Sequence, residues 1–446
     1  MSGAYVDDTI VACATPRGVG GVAVVRVSGR DVERICKEML GGLPAARVAE
    51  VRAFLDSSGS IVDKGLALYF PRPESFTGES VLELHGHGGP VVVGLLVDAV
   101  VARGARLAEP GEFTMRAFLN DKLDLVQAEA IVDLIGSGTQ QAARAALRSL
   151  SGAFSKTIDA LVEQLIRLRL HVEAAIDFPE EEIDFLSDQK LMDRIVECAA
   201  AFGEITNVVS VGRVLRDGYQ IVIVGKPNVG KSSLLNLLSG YDAAIVTDVA
   251  GTTRDILREQ IVIDGLSVEL VDTAGLRSDP DLIEAEGIRR AKEALGKADA
   301  ALWIQDASAD EIDTGPGEDF PRDIPVVVVR NKIDLTGGAV VTDTDVIHVS
   351  AKTGAGVDTL LAKIKALAGY ENLGEGAFTA RQRHLDALTR AEEHFQQGRK
   401  ALADQRAGEI FAEELRLAQT ALGEITGVFT SDDLLGRIFS EFCIGK

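Results

Sequence analysis

The sequence predicts a multidomain chain: an N-terminal α+β domain, a discontinuous all-α helical domain, and an α/β domain inserted into the helical one. Three observations carry this. The 446 residues exceed one ordinary core. Short β-branched runs give way near Lys122 to helical periodicity, and a regular alternation of apolar strands and helices starting at Tyr219 interrupts that periodicity until about Tyr370. The expected boundaries are 1–121, 122–216, 217–370 and 371–446.

In the first segment Val22–Val27, Gly65–Phe70 and Ser80–Leu84 read as strands, and Val91–Val101 as a buried helix, too short and too interrupted by Asp98 to span a bilayer. In the second, Leu147, Leu150, Phe154, Ile158, Leu161, Leu165, Leu168, Val172 and Ile176 recur every three or four residues, as along one face of a single long helix. The third segment has strands at Ile221–Val224, Val268–Val271, Ala300–Ile304, Val326–Val329 and Val346–Val349, the pattern of a mainly parallel sheet covered by helices. Helical spacing then returns through Leu385, Leu388, Phe395, Leu415 and Leu422. An insertion of this kind requires its two ends to lie close together.

Composition sets limits. Hydrophobic residues make up 46% and charged residues 26%, which excludes wholesale disorder. The start of the chain is acidic where a secretory signal would be basic, so a cytoplasmic protein without membrane insertion is expected. A formal net charge of -22 confines any nucleic-acid contact to a local patch, for which Arg144, Arg148, Arg167 and Arg169 are candidates, although helix-surface charges are the simpler reading. Cys13, Cys36, Cys198 and Cys443 show neither zinc nor disulfide spacing.

The chemistry is written in the third segment. Gly225–Ser233, GKPNVGKSS, follows a strand and opens a helix, which is the setting of a phosphate-binding P-loop. Gly225 and Gly230 let backbone N–H groups turn toward phosphate oxygens, with Asn228, Val229 and Ser233 completing the loop. Lys231 reaches the β- and γ-phosphates and Ser232 supplies a magnesium ligand. Asp272-Thr273-Ala274-Gly275 ends a strand, where Asp272 holds magnesium through water and Gly275 senses the γ-phosphate. Asn331-Lys332-Ile333-Asp334 reads the base: Asp334 accepts from N1–H and the exocyclic amine of guanine, whereas adenine would leave it unpaired. Ser350-Ala351-Lys352 supplies the last base-facing loop. The nucleotide is therefore GTP, and the expected fold of this domain is a Ras-like P-loop GTPase. Thr247–Asp255, TDVAGTTRD, reads as the phosphate-facing switch, with Thr253 as the second magnesium hydroxyl. Leu276 follows DTAG where Ras-like proteins place a water-orienting glutamine, so hydrolysis must draw on another group.

GKPNVGKSS, TDVAGTTRD, DTAGLR and the terminal Cys443-Ile444-Gly445-Lys446, with DDTIVACATPRGVGGVAVVRVSG, FTGESVLELHGHGG and PGEFTMRAFLNDKLDLVQAEAI in the first segment, resemble the MnmE (TrmE) family of tRNA-modification GTPases over essentially the whole chain. The resemblance implies a potassium ion held by the Asn228 side chain and the carbonyls of Thr247, Val249 and Thr252, standing where an arginine finger would. It further implies hydrolysis on potassium-dependent dimerisation, and a water-orienting glutamate at Glu284, with Glu286 close enough to leave the register open. The N-terminal domain is implied to bind 5-formyltetrahydrofolate or a related one-carbon tetrahydrofolate through Arg26, Glu83, Lys122 and Lys446. Arg26 could equally be a strand-end charge, and Glu83 and Lys122 an ion pair. The tail would lie near the folate, leaving Cys443 either catalytic or merely buried. A prenylation reading of that tail fails on its glycine and terminal lysine. His85-Gly86-His87-Gly88-Gly89 reads as a glycine-rich turn near ligand rather than a metal site.

By this resemblance the chain is a homodimeric GTPase and folate carrier. It would act with the flavoprotein MnmG, which would hold FAD and NADH because this chain has no GxGxxG of its own. The product would be a carboxymethylaminomethyl or aminomethyl group on C5 of the wobble uridine of certain tRNAs. The alternative is a ribosome-assembly or signalling GTPase whose flanking domains bind RNA or protein, since the nucleotide motifs alone do not discriminate.

Overall fold

The structure is a computed structural model. It describes residues 8–16, 18–177, 188–240, 258–272, 295–296, 298–309, 320–321, 324–337, 346–370, 376–429, 432–440 and 442–445. The chain divides into two compact units, one of residues 1–132, 155–180 and 394–446, the other of 133–154 and 181–393.

The first unit is built on a six-stranded sheet of β1 (Ile10–Cys13), β2 (Gly20–Ser28), β3 (Glu50–Leu55), β4 (Ile61–Phe70), β5 (Val81–Gly88) and β6 (Arg106–Leu107), in the order β3-β4-β5-β2-β1-β6. All neighbours are antiparallel except β1 and β6. Strand alternation sends Val25, Val27, Leu82 and Leu84 into a core shared with α1 (Val32–Leu40) and α2 (Pro90–Val101). Pro90 starts α2 at the position where a missing N–H costs nothing. This helix is the expected apolar one, yet only Leu96, Ala99 and Val100 are buried, while Val91 and Leu95 face solvent.

On the other face of the sheet Ile10, Ala12 and Ala108 pack with Phe113 of α3 (Glu112–Leu119). Leu125 and Ala128 of α4 (Leu125–Ile135) form a separate cluster with Ile438, Phe439 and Phe442 near the C-terminus. The HGHGG run is not a turn. His85 to Gly88 continue β5, pairing with β2 through Val24 opposite His85, Ala23 opposite Gly86 and Gly20 opposite Gly88.

The single long helix expected from Leu147 to Ile176 is two. α5 (Gln140–Leu150) is capped by the Thr139 hydroxyl, which accepts from the Ala142 N–H at 3.1 Å, and α6 runs over Ala153–Asp177. Between them Gly152 has φ +82°, the left-handed region where glycine pays no steric penalty, so apolar spacing continued across a chain break. α7 (Gln189–Asp217) is capped by Asp188 and is, among the described residues, the one helix long and apolar enough by length and composition to cross a membrane. Its Leu191, Ile195, Cys198, Phe202, Ile205 and Val209 are buried, and it packs against α5.

The second unit holds the other sheet, of β7 (Tyr219–Gly225), β8 (Arg258–Ile263), β9 (Leu266–Asp272), β10 (Ala300–Asp306), β11 (Val326–Asn331) and β12 (Val346–His348), ordered β12-β11-β10-β7-β9-β8. It is parallel except for β8, an antiparallel edge strand absent from the sequence reading. Its signal was the Asp264-Gly265 pair, both at positive φ, which closes a two-residue hairpin. α8 (Lys231–Ser239) and α9 (Val357–Leu367) contribute Leu234, Leu238, Leu360 and Ile364 to the sheet's core. α10 (Gln382–Gln405), α11 (Gly408–Thr426) and α12 (Asp432–Ser440) complete the chain.

The segments entering and leaving this α/β portion do meet. Gly212 of α7 has no room for a Cβ, which would stand 2.5 Å from the Phe378 carbonyl. Asp133 accepts hydrogen bonds at 2.9 Å from both Arg216 at the end of α7 and Arg381 at the start of α10.

Candidate functional site

The P-loop follows β7 because the strand ends at Gly225, whose φ of +154° turns the chain under the carbonyl of Ile304. Asn228 and Gly230 also take positive φ, +63° and +95°, so successive backbone groups coil into a concave loop capping α8. Lys231 is buried at the helix start, and its Nζ lies 2.8 Å from the carbonyl oxygens of Gly225 and Lys226. The Ser232 and Ser233 side chains are exposed on the first turn, and β9 brings the chain at Asp272 alongside Ile223.

Asn331 ties three motifs together. It is 1% exposed; its Nδ2 donates to the Val229 carbonyl at 3.0 Å, and its Oδ1 accepts from the Ala351 N–H at 2.9 Å. A Cβ on Gly230 would stand 2.3 Å from that Nδ2, so glycine is required there by contact as well as by φ. Lys332 donates to the Asn228 carbonyl at 2.7 Å and to the Asp306 carboxylate at 2.6 Å. Asp334 is exposed and accepts at 2.7 Å from the Ser350 hydroxyl, which itself accepts from the Thr353 N–H. Lys352 is exposed. Asn228, Val229, Gly230, Asn331, Lys332, Asp334, Ser350 and Ala351 thus form one bonded constellation at the strand ends. Such a rim of N–H groups, an ammonium and an ionisable carboxylate can hold a phosphorylated base whose edge offers two donors. Asp306, which no sequence motif marked, belongs to it; its only signal was its place at the end of a strand between two others carrying motifs.

Thr247, Val249, Thr252, Thr253, Thr273, Ala274, Gly275, Leu276, Glu284 and Glu286 lie outside the described residues, as does the side chain of Asp272.

In the N-terminal sheet Arg26 and Glu83 are cross-strand partners of β2 and β5. Arg26 Nε donates to Glu83 at 3.0 Å, and its guanidinium lies 5.5 Å from the Phe76 ring centre and 5.8 Å from that of Phe113. Glu83 therefore pairs with Arg26, which lies two residues before the end of β2; the second oxygen of Glu83 is 3.2 Å from His85 Nε2. The Phe76-Thr77-Gly78 loop reaches the other predicted cation: Gly78 lies beside the Lys122 side chain, and Asn120 donates to the Thr77 carbonyl at 2.7 Å.

The C-terminal tail reaches the same sheet. Ile444 bridges Pro110, and Gly445, φ +97°, lies against the Cys13 carbonyl. The Cys443 side chain is exposed, and Lys446 lies outside the described residues. His87 binds Asp63 at 2.8 Å, and among the described residues no group of three or more metal-ligating side chains gathers. Burial pushes the Cys36 thiol up to about 12 and the Cys198 thiol up to about 11, consistent with inert core residues. Of the four arginines considered for a basic strip, Arg148 donates to the Ala377 carbonyl, Arg167 to Glu163 and Arg169 to Gln419.

Comparison with known proteins places these features in one lineage. The GTP-binding protein TrmE N-terminus matches residues 9–122 and the MnmE helical domain matches residues 125–443. The tRNA modification GTPases MnmE of two Coxiella burnetii strains, Dugway 5J108-111 and RSA 493 / Nine Mile phase I, are each 53% identical, over 98% of this chain and 99% of theirs. The solved G domain of the T. maritima FeoB iron transporter is 22% identical over 34% of this chain and 98% of its own, at a TM-score of 0.23, too low to bear on the fold. With two family regions spanning most of the chain and relatives matched end to end, the chain belongs to the MnmE family of tRNA modification GTPases.

Proposed function

We propose that this chain hydrolyses GTP to GDP and phosphate in the cytoplasm as part of tRNA modification. In finer detail it is a potassium-dependent homodimer that works with the flavoprotein MnmG. The two add a carboxymethylaminomethyl or aminomethyl group to C5 of the wobble uridine of certain tRNAs, with a one-carbon tetrahydrofolate as the methylene source. The division into 1–121, 122–216, 217–370 and 371–446 belongs to this proposal. The observation that carries it is the single Asn331-centred network joining the P-loop to both base-facing loops in a chain of this family.

In this reading the loop from Asn228 to Ser233 and the Lys231 ammonium hold the phosphates. Asp334 reads guanine and Ser350 holds Asp334 in place; the Ala351 N–H, which donates to Asn331 Oδ1, would turn to the guanine oxygen when the base binds. Ser232, Thr253 and, through water, Asp272, all oxygen donors, would hold magnesium, and Asn228 with the carbonyls of Thr247, Val249 and Thr252 would hold potassium. When bound, these cations would supply positive charge beside the transferred phosphoryl group. Glu284 orients the attacking water, a task the hydrophobic Leu276 cannot perform. Thr273, Ala274 and Gly275 carry the γ-phosphate signal, and Lys352 flanks the base.

Arg26, Glu83, Lys122 and Lys446 hold the folate. The fit is chemical: a pterin edge needs adjacent donors and acceptors, which the Arg26–Glu83 pair offers, and a glutamyl tail needs cations. Cys443, exposed on the docked tail, is available for chemistry there. FAD and NADH reside on MnmG.

The test has two parts. Hydrolysis by the purified chain should be much faster in potassium than in sodium and lose that difference in Asn228→Ala. Transfer RNA from cells lacking the chain should lose its modified wobble uridines. Equal rates in both salts remove the potassium assignment; unchanged nucleosides return the assembly-GTPase alternative.

A further inference from the structure

Asp306 ends β10, and its two carboxylate oxygens have different duties. Oδ1 accepts from the backbone N–H of Ser308 at 2.9 Å and from the Ser308 hydroxyl at 2.6 Å, which fixes the carboxylate plane. Oδ2 is left to face the Lys332 ammonium at 2.6 Å. Lys332 spends a second proton on the carbonyl of Asn228, 2.7 Å away. Three residues far apart in sequence, from three different strand ends, are thereby linked in series.

Two members of that series hold a backbone conformation that non-glycine residues avoid. Lys332 has φ +68° and Asn228 φ +63°. Such a conformation persists where the surroundings over-determine it. Lysine by itself is a poor clamp, because its four-carbon stem is flexible and its ammonium is satisfied by water. A fixed carboxylate removes that freedom. Both side chains are partly shielded, 21% exposed for Asp306 and 30% for Lys332. The hydrogen bonds from Lys332 and Ser308 hold the Asp306 carboxyl down to about 2, so the anchor is ionised at neutral pH.

We propose that Asp306 is a positioning residue of the nucleotide site: it fixes the Lys332 ammonium, which in turn pins the Asn228 carbonyl and sets the shape of the P-loop beneath the bound guanine nucleotide. This rests on the reading of the constellation as a GTP site. Asp306 touches no nucleotide itself. Its effect passes through Lys332 to the P-loop backbone at Asn228, and losing it loosens nucleotide retention.

The experiment follows release of a fluorescent N-methylanthraniloyl-GDP from the full-length protein, together with kcat and KM for GTP. Asp306→Asn retains the Oδ1 contacts to Ser308 and keeps the fold, which thermal unfolding verifies. Release should accelerate about fivefold, the scale of one partly shielded ion pair, with KM raised. In a Lys332→Met background the same change should add nothing, because its route is already cut. Wild-type protein that binds no GDP overturns the nucleotide-site reading and the inference with it. Wild-type binding with Asp306→Asn release within about twofold overturns the inference alone, as does a full additional effect in the Lys332→Met background.

Discussion

Asp133 accepts the Arg216 Nε–H at 2.9 Å across 83 positions of sequence, and the same oxygen accepts from Arg381 at 2.9 Å. Arg216 closes the helix before the α/β sheet and Arg381 opens the helix after it, so one carboxylate holds both connections of the inserted portion. Asp133 is 5% exposed and Arg381 9%, so the group is shielded from water. Asp133→Ala should lower stability by about 2 to 3 kcal/mol, because a shielded guanidinium loses its carboxylate. Ser149 supports the same junction by exchanging hydrogen bonds with the backbone of Thr379 at 3.1 and 3.0 Å. Urea unfolding of the variant and of a Ser149→Ala control would measure both; a loss below about 0.5 kcal/mol for Asp133→Ala would mean that the junction is held by its apolar contacts.

The Asn331 network gives a sharper expectation for nucleotide binding. Asn331→Ala removes a donor from the Val229 carbonyl and an acceptor from the Ala351 N–H, both at the base-facing edge. GDP affinity should fall at least about tenfold, since two polar groups lose their partners at once. Gly230→Ala should be as damaging for a different reason, as its Cβ would collide with the Asn331 amide while the backbone remains at φ +95°. Calorimetric titration with GDP decides; near-normal affinity in Asn331→Ala would remove this residue from the site.

Glu112 should make the fold sensitive to acid. Its side chain is 4% exposed, and burial alone would raise its pKa. Hydrogen bonds from Arg106, the Glu109 N–H and Arg116 outweigh burial and lower it from the ordinary 4.5. A carboxyl depressed in the folded state contributes stability that is fully present above its unfolded pKa and is lost as pH falls through the folded one. The window therefore opens just below 4.5 and extends downward. Glu112→Gln should lose about 2 kcal/mol at neutral pH, and that deficit should shrink steadily on acidification to about pH 3. Urea midpoints of both proteins across this range test the sign; a deficit that grows on acidification would refute it.

What could be read in sequence was local. The P-loop declared itself because strand, glycines and helix are adjacent, and the sheet's parallel strands appeared as short apolar runs. Periodicity misled at Gly152, where hydrophobic spacing persisted while a left-handed residue ended one helix and began another. The edge strand β8 went unread although Asp264-Gly265 marked its hairpin. Pairings across the fold were invisible in principle. Nothing in the neighbourhood of Glu83 says that β5 places it opposite Arg26, and nothing near Asp306 says that Lys332 will meet it. Such contacts are set by strand register and crossover, which only the assembled sheet specifies.

The docked tail supplies the last expectation. Gly445 stands at φ +97°, and a Cβ there would lie 2.2 Å from the Cys13 carbonyl and 3.0 Å from the Ala14 Cα, so any side chain must push the tail away from β1. Ala12 of that strand pairs with Arg26, so the displaced residues would be neighbours of the proposed folate cradle. Gly445→Ala should lower affinity for 5-formyltetrahydrofolate about tenfold and expose the last residues to carboxypeptidase. Cys443→Ser should do neither, because the tail is held through backbone groups, the Gly111 N–H meeting the Cys443 carbonyl and Ile444 bridging Pro110, while the thiol stays exposed. If Cys443 takes part in the reaction, that variant keeps folate and loses wobble-uridine modification; if it retains full modification, the thiol has no chemical part. A Gly445→Ala protein that binds folate normally despite a freed tail would place the tail outside the folate site.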